Sequence, residues 1–115
     1  MSDSSPNDNP MISGIQAIAV ERQRQIVEEG WDLKHDLQHS PEQLELAATC
    51  YSTPPEFRKC YDDGTPYLWP WDRSWWKPSE TRVRDLEKAG ALLAAAIDLR
   101  KYNIYHNGEL DGTEN

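Results

Sequence analysis

The sequence predicts an all-α fold. Three observations carry that reading. Apolar residues recur at three- and four-residue intervals in three segments, helix start and stop signals bracket those segments, and no stretch alternates as a half-buried strand would. The expected architecture is a compact three-helix core with a long, ordered Trp/Pro-rich loop between the second and third helices.

The first helix is expected over 12–29, with Ile15, Ile18, Ala19, Ile26 and the stem of Arg22 forming its apolar stripe. Gly30 supplies a left-handed stop, and Trp31 follows where a hydrophobic residue commonly folds back on the last turn. The second helix is announced by SPEQ. Ser40 caps, Pro41 suits the first helical position and Gln43 completes a capping box. Leu44, Ala47, Ala48 and Tyr51 make its inward stripe, and Pro54-Pro55 end it.

The third helix is expected to begin at Ser79, after Pro78. Val83, Leu86, Gly90, Leu93 and Ile97 form its stripe, which Ala89, Leu92, Ala94, Ala95 and Ala96 widen. Such an alanine-rich face allows close helix approach, either in a bundle centre or in the seam of a homodimer. Gly90 and Ala94 are therefore expected at a close helix–helix contact.

Between the second and third helices, residues 52–78 form a connection too long for a simple turn. Its tyrosines and tryptophans oppose disorder, and its five prolines oppose regular structure. It reads as an ordered lid held on the helices by its tryptophans. The domain is expected over 11–105, between polar, disordered tails over 1–10 and 106–115.

At 115 residues the chain supports a single core. A formal net charge of −8 disfavours binding to a nucleic-acid backbone, whereas a local basic pocket still suits a small anion. No apolar run approaches membrane-span length and no leader precedes a cleavage site, so the expectation is a cytoplasmic protein with no membrane partner. Cys50 and Cys60 match no zinc or redox spacing and read as reduced thiols.

Three constellations bear on chemistry. Glu42 and Glu45 on the second helix and Glu87 on the third are the candidates for a magnesium site, against the simpler reading of a solvated acidic face. His35 and Asp36, in KHDLQH with His39, read first as loop hydrogen-bonders, then as ligand contacts, and only last as a zinc site.

The last is WPWDRSWWKP with its cations: Arg73, Lys77, Arg82 and Arg84. Aromatic faces stack on flat rings, while arginine forks hold phosphate. Trp69 and Trp71 are expected to face the helices. Of the adjacent Trp75 and Trp76, one is expected inward and the other, assigned as Trp76, at the rim beside Lys77, Arg82 and Arg84. The competing reading makes all four tryptophans core filler. The sequence offers no candidate catalytic residue.

The spine ERQRQ, EEGW, HD, AAxxY, WPW, WWKP and RDLxKAGAL, running from Glu21 to Leu92, resembles an uncharacterised family of small proteins of tailed phages and prophages. More loosely, VERQRQIVEEGW, HSPEQLELA and DLEKAGALL resemble the MazG-like all-α nucleoside triphosphate pyrophosphohydrolases. That likeness implies magnesium at Glu42, Glu45 and Glu87, although the family motifs EExxE and ExxD are not reproduced. The EEGW region and aromatic loop are also similar to ryanodine-receptor-type repeat domains of bacterial defence proteins, which implies ligand binding.

The expected function is that of a phage or prophage protein in the host cytoplasm. It would bind, and sequester against host defence, a nucleotide-derived small molecule without hydrolysing it or needing a cofactor. One alternative is a magnesium-dependent nucleotide pyrophosphohydrolase. Another is an adaptor or inhibitor that docks a host protein through the tryptophan loop.

Overall fold

The computed structural model describes residues 11–111, with side chains to residue 106. The tail expected over 1–10 and residues 112–115 lie outside the described residues. The fold is all-α: α1 (Gly14–Glu29), the short α2 (Leu33–Asp36), α3 (Pro41–Ser52) and α4 (Arg82–Asp111), with 3-10 turns at Pro55–Phe57 and Arg73–Trp75. Among the described residues there is no strand, and none of the helices is long and apolar enough to cross a membrane.

Local chemistry sets the helix ends. Ser13 caps α1 in a capping box with Gln16, a start signal that lies just inside the expected boundary. Gly30 closes α1 at φ 73°, and the Trp31 amide donates to the Gln25 carbonyl at 3.0 Å, returning the tryptophan over the last turn. Ser40 and Gln43 form the expected box on α3, with Pro41 at its start. Helix α4 begins at Arg82 rather than Ser79, because Thr81 Oγ1 accepts from the Arg84 amide and Asp85 Oδ1 from the Ser79 amide. It continues to Asp111, past the boundary expected at 105.

Helix α4 is the hub against which α1, α2 and α3 pack. Leu44, Ala47, Ala48 and Tyr51 of α3 meet Ala89, Leu92, Ala95, Ala96 and Leu99 of α4, and Trp31, Trp69, Trp71 and Trp76 close over this core. The inward face of α4 therefore follows the residues expected only to widen its stripe. Val83, Leu86, Leu93 and Ile97 are exposed. The alanine-rich face is consumed within the chain, with Ala91, Ala95 and Ala96 buried, so it is not free to form a dimer seam.

Gly90 packs directly against α1. A Cβ there would stand 2.6 Å from Ile18 Cγ1, so a larger residue would displace Ile18.

The inward face of α1 is also rotated from the expected one. Ile15 and Ala19 point outward, while Ala17, Glu21 and Gln25 are buried. Ionic pairing across to α4 selects this rotation. Arg84 Nη1 lies 2.7 Å from Glu21 Oε1, a bond that a face of isoleucines would not supply.

The long loop is ordered, as expected. Arg58 anchors it by donating to the Cys50 and Tyr51 carbonyls and to Asp85 Oδ2 at 3.0 Å, with its guanidinium 5.1 Å from the Trp76 ring. Beyond it, Cys60 and Pro66 form an isolated antiparallel bridge, turned at Gly64 with φ 90°. Cys50 and Cys60 are free thiols, and burial pushes the Cys50 pKa up to about 11.

Candidate functional site

Two cavities share Trp31 and Trp75 as a common wall. The first has a volume of about 340 Å³ and is aromatic. The second, of about 280 Å³, is polar and carries most of the charge.

The aromatic cavity starts from α2. Asp32 caps this single turn by accepting from the His35 amide at 2.9 Å, which orients His35 beside Trp31. The Trp31 and His35 rings stack with centroids 6.1 Å apart, His35 meets His39 at 5.0 Å, and His39 meets Trp71 at 5.3 Å. Four rings from two segments thus form a continuous wall.

Asp36, 2% exposed, fixes that wall. Its Oδ2 accepts from Arg22 Nη2 at 3.0 Å and its Oδ1 faces His35 Nδ1 at 3.2 Å. Arg22 Nη1 also donates to the Trp31 carbonyl at 2.7 Å. One guanidinium therefore locks α1, the Trp31 backbone and α2 together.

Trp75 forms the outer rim. Asp72 accepts from the Ser74 amide at 2.8 Å, and its carbonyl accepts from Trp69 Nε1 at 3.0 Å, pinning the turn at Arg73–Trp75. The adjacent tryptophans then diverge. Trp76 packs inward, 4.7 Å from Tyr51 and 5.1 Å from Trp69, whereas Trp75 is 54% exposed and borders both cavities. The expected split between the pair is present with the assignment reversed: Trp75 holds the rim. Trp69 and Trp71 both close on the core as expected, 5.4 Å apart and edge to face.

The polar cavity lies over the α1–α4 contact. Arg24 binds Glu21 through two hydrogen bonds of 2.9 Å and reaches Glu29 at 2.7 Å. Arg84 links Glu21 to Glu87, which it meets at 3.3 Å. Lys88 donates to the Lys77 carbonyl at 2.7 Å and sits above the Tyr51 ring. Four cations (Arg24, Lys77, Arg84, Lys88) stand against two carboxylates (Glu21, Glu29) in its lining, so the cavity is locally positive in an acidic protein.

Burial pushes the Glu21 carboxyl up, but hydrogen bonds and charge from Arg24 and Arg84 outweigh it and hold the group below 4.5. Burial likewise raises Tyr51 to about 12, so its hydroxyl stays protonated while accepting from the Lys77 amide.

Of the expected site residues, His35, Asp36, Trp75, Lys77 and Arg84 line the two cavities. Three do not. Trp76 is spent on the core, Arg73 pairs with Asp63 across the loop, and Arg82 caps α3 by donating to the Tyr51, Ser52 and Thr53 carbonyls. Trp31, Trp71, Asp72, Arg24 and Lys88 are among the lining residues not expected as site residues. Trp31, placed by the Gly30 stop, and Trp71, held extended beside Pro70, had sequence signals that pointed inward, whereas Arg24, Asp72 and Lys88 had none.

The candidate metal residues do not converge. Glu45 forms two hydrogen bonds with Arg100, at 2.5 and 3.0 Å, which hold its carboxyl below the usual range. Glu42 lies 3.6 Å from the same guanidinium, while Glu87 is buried beside Arg84. Among the described residues, no group of three or more His, Cys, Asp or Glu side chains is placed to hold a metal ion.

No family model, curated protein or solved structure matches this chain.

Proposed function

We propose that the protein binds a nucleotide-derived small molecule and holds it without hydrolysis. One observation carries this reading: an aromatic cavity and a cationic cavity lie side by side behind a shared pair of tryptophans, Trp31 and Trp75. A base stacks on aromatic faces, and phosphates seek arginine and lysine. The volume of either cavity suits part of a nucleotide, and both together fall within the range of small-molecule sites. The resemblance to phage proteins supports a role in sequestering a host signal or metabolite against host defence.

The test is thermal stabilisation and calorimetry of the full chain with a panel of nucleotides and their unphosphorylated nucleosides. Nucleotides should raise the melting temperature and nucleosides much less, with the ligand recovered intact. Stabilisation by neither would contradict the proposal. The magnesium-dependent alternative uses Glu42, Glu45 and Glu87, whereas binding without hydrolysis uses none of them. A Glu42→Gln, Glu45→Gln variant should therefore leave ligand-induced stabilisation unchanged.

One observation favours the adaptor reading as a second choice: Phe57, Tyr61, Tyr67 and Leu68 of the loop are all more than half exposed. A host protein retained by the wild-type chain and released by Phe57→Ser with Tyr67→Ser would support it.

A further inference from the structure

The outward side of α4 carries a second apolar face. Val83, Leu86, Gly90, Leu93 and Ile97 recur at alternating intervals of three and four residues, and Ile104 continues the repeat. On a helix this seven-residue period makes one straight stripe, the pattern of a coiled-coil seam. The stripe lies opposite the side of α4 on which Ala91, Leu92, Ala95 and Leu99 are buried. Its five aliphatic side chains are 43–57% exposed.

Neighbouring residues keep the stripe apolar. No charged residue occupies it from Val83 to Ile97. Arg100, at the next seam position, is drawn aside to α3 by its hydrogen bonds to Glu45. The space over Gly90, the one seam position without a side chain, is occupied by Ile18 of α1. Ile15, one turn earlier on the same face of α1, is 83% exposed and extends the patch.

We infer that this face is the interface of a homodimer, in which two copies pack α4 against α4 with Ile15 and Ile18 at the flank. The period asks for another helix with the same repeat, and a second copy supplies it through a two-fold axis that uses one self-complementary patch twice. The six exposed aliphatic side chains, Ile15 included, offer on the order of 500 Å² of apolar surface, the upper end of what a monomer leaves in water. Facing copies would bury on the order of 1,000 Å², enough for a specific interface. Both cavities stay open in such a dimer. Helix α4 faces the polar one with Arg84, Lys88 and Leu92, from its other side, and contributes no lining to the aromatic one. The dimer is therefore independent of what the cavities bind.

The experiment is sedimentation equilibrium of the full chain at micromolar and higher concentrations, with the unfolding midpoint followed on dilution. Wild type should sediment at twice the chain mass, and its midpoint should rise with concentration. Leu93→Glu with Ile97→Glu sets like charges face to face and should shift the mass to that of one chain. The variant should keep its helical circular dichroism, because both positions lie on the surface of the single chain. Phe57→Ser with Tyr67→Ser, at the exposed apolar residues of the loop, should leave the dimer intact. A wild-type monomer with a concentration-independent midpoint would overturn the inference. So would a dimer that survives Leu93→Glu with Ile97→Glu, or one that is lost in the loop variant instead.

Discussion

Arg84 of α4 lies 2.7 Å from Glu21 of α1, and the two side chains are 11% and 2% exposed. A buried pair of this kind adds little stability compared with apolar packing, yet removing Arg84 leaves Glu21 with Arg24 as its remaining cation and weakens the compensation of its buried charge. Here the pair also fixes which face of α1 meets α4 and forms the floor of the cationic cavity.

Arg84→Met should accordingly destabilise the fold by about 1–3 kcal/mol in urea denaturation, less than a fully stranded charge because Arg24 still binds Glu21, and adding Glu21→Gln should recover part of that loss. The pH dependence has a definite sign. The folded pKa of Glu21 is depressed below 4.5, so its contribution is present above that value and is lost as pH falls through the lower folded value. Wild-type stability measured from pH 6 to pH 2 should fall in that acid range. The fall should be shallower in Glu21→Gln, which has no carboxyl to protonate there.

Gly90 gives a second, independent handle on the α1–α4 contact. Gly90→Leu should cost about 1–3 kcal/mol by overpacking against Ile18, and Ile18→Ala in the same chain should restore much of it. Strict additivity of the two changes would show that the helices do not meet there.

Within the loop, Trp69 and Trp76 share the Tyr51 ring and close the core. Truncating either to alanine should cost roughly 3–5 kcal/mol, measured by thermal or chemical unfolding. A change below about 1 kcal/mol in both would mean that the loop is not bound to the helices as described.

Much of this fold was legible wherever a signal is local. Ser40 to Gln43 start α3, Gly30 stops α1, and the prolines and tryptophans mark an ordered loop. The rotations of α1 and α4 were not legible, because a periodicity of apolar residues ignores buried charge. Glu21 faces inward to meet Arg84, with Gln25 donating to Glu21 beside it, while Ile15 and Val83 face out. Arg58 was equally hidden. Its role depends on the path of the loop, which brings it back to Asp85, far along the chain.

The candidate site divides the same way. The divergence of Trp75 and Trp76 follows from their adjacency on a helical turn, but which one points inward is set by Tyr51 and Arg58 on other segments. Arg73 and Arg82 carry the right charge for phosphate and are committed elsewhere, to Asp63 and to the end of α3. Sequence shows that a cation is present and not which acceptor it will satisfy.

Trp75 separates binding from folding most directly, since it borders both cavities and stands outside the core. The measurement is calorimetric titration of wild type and Trp75→Ala with a nucleoside diphosphate, alongside their unfolding curves. The variant should unfold within about 0.5 kcal/mol of wild type, as exposed positions do. It should bind the nucleotide more weakly by on the order of tenfold, the loss expected for one base-stacking ring. Unchanged affinity in a normally folded Trp75→Ala chain would contradict a binding site behind Trp31 and Trp75.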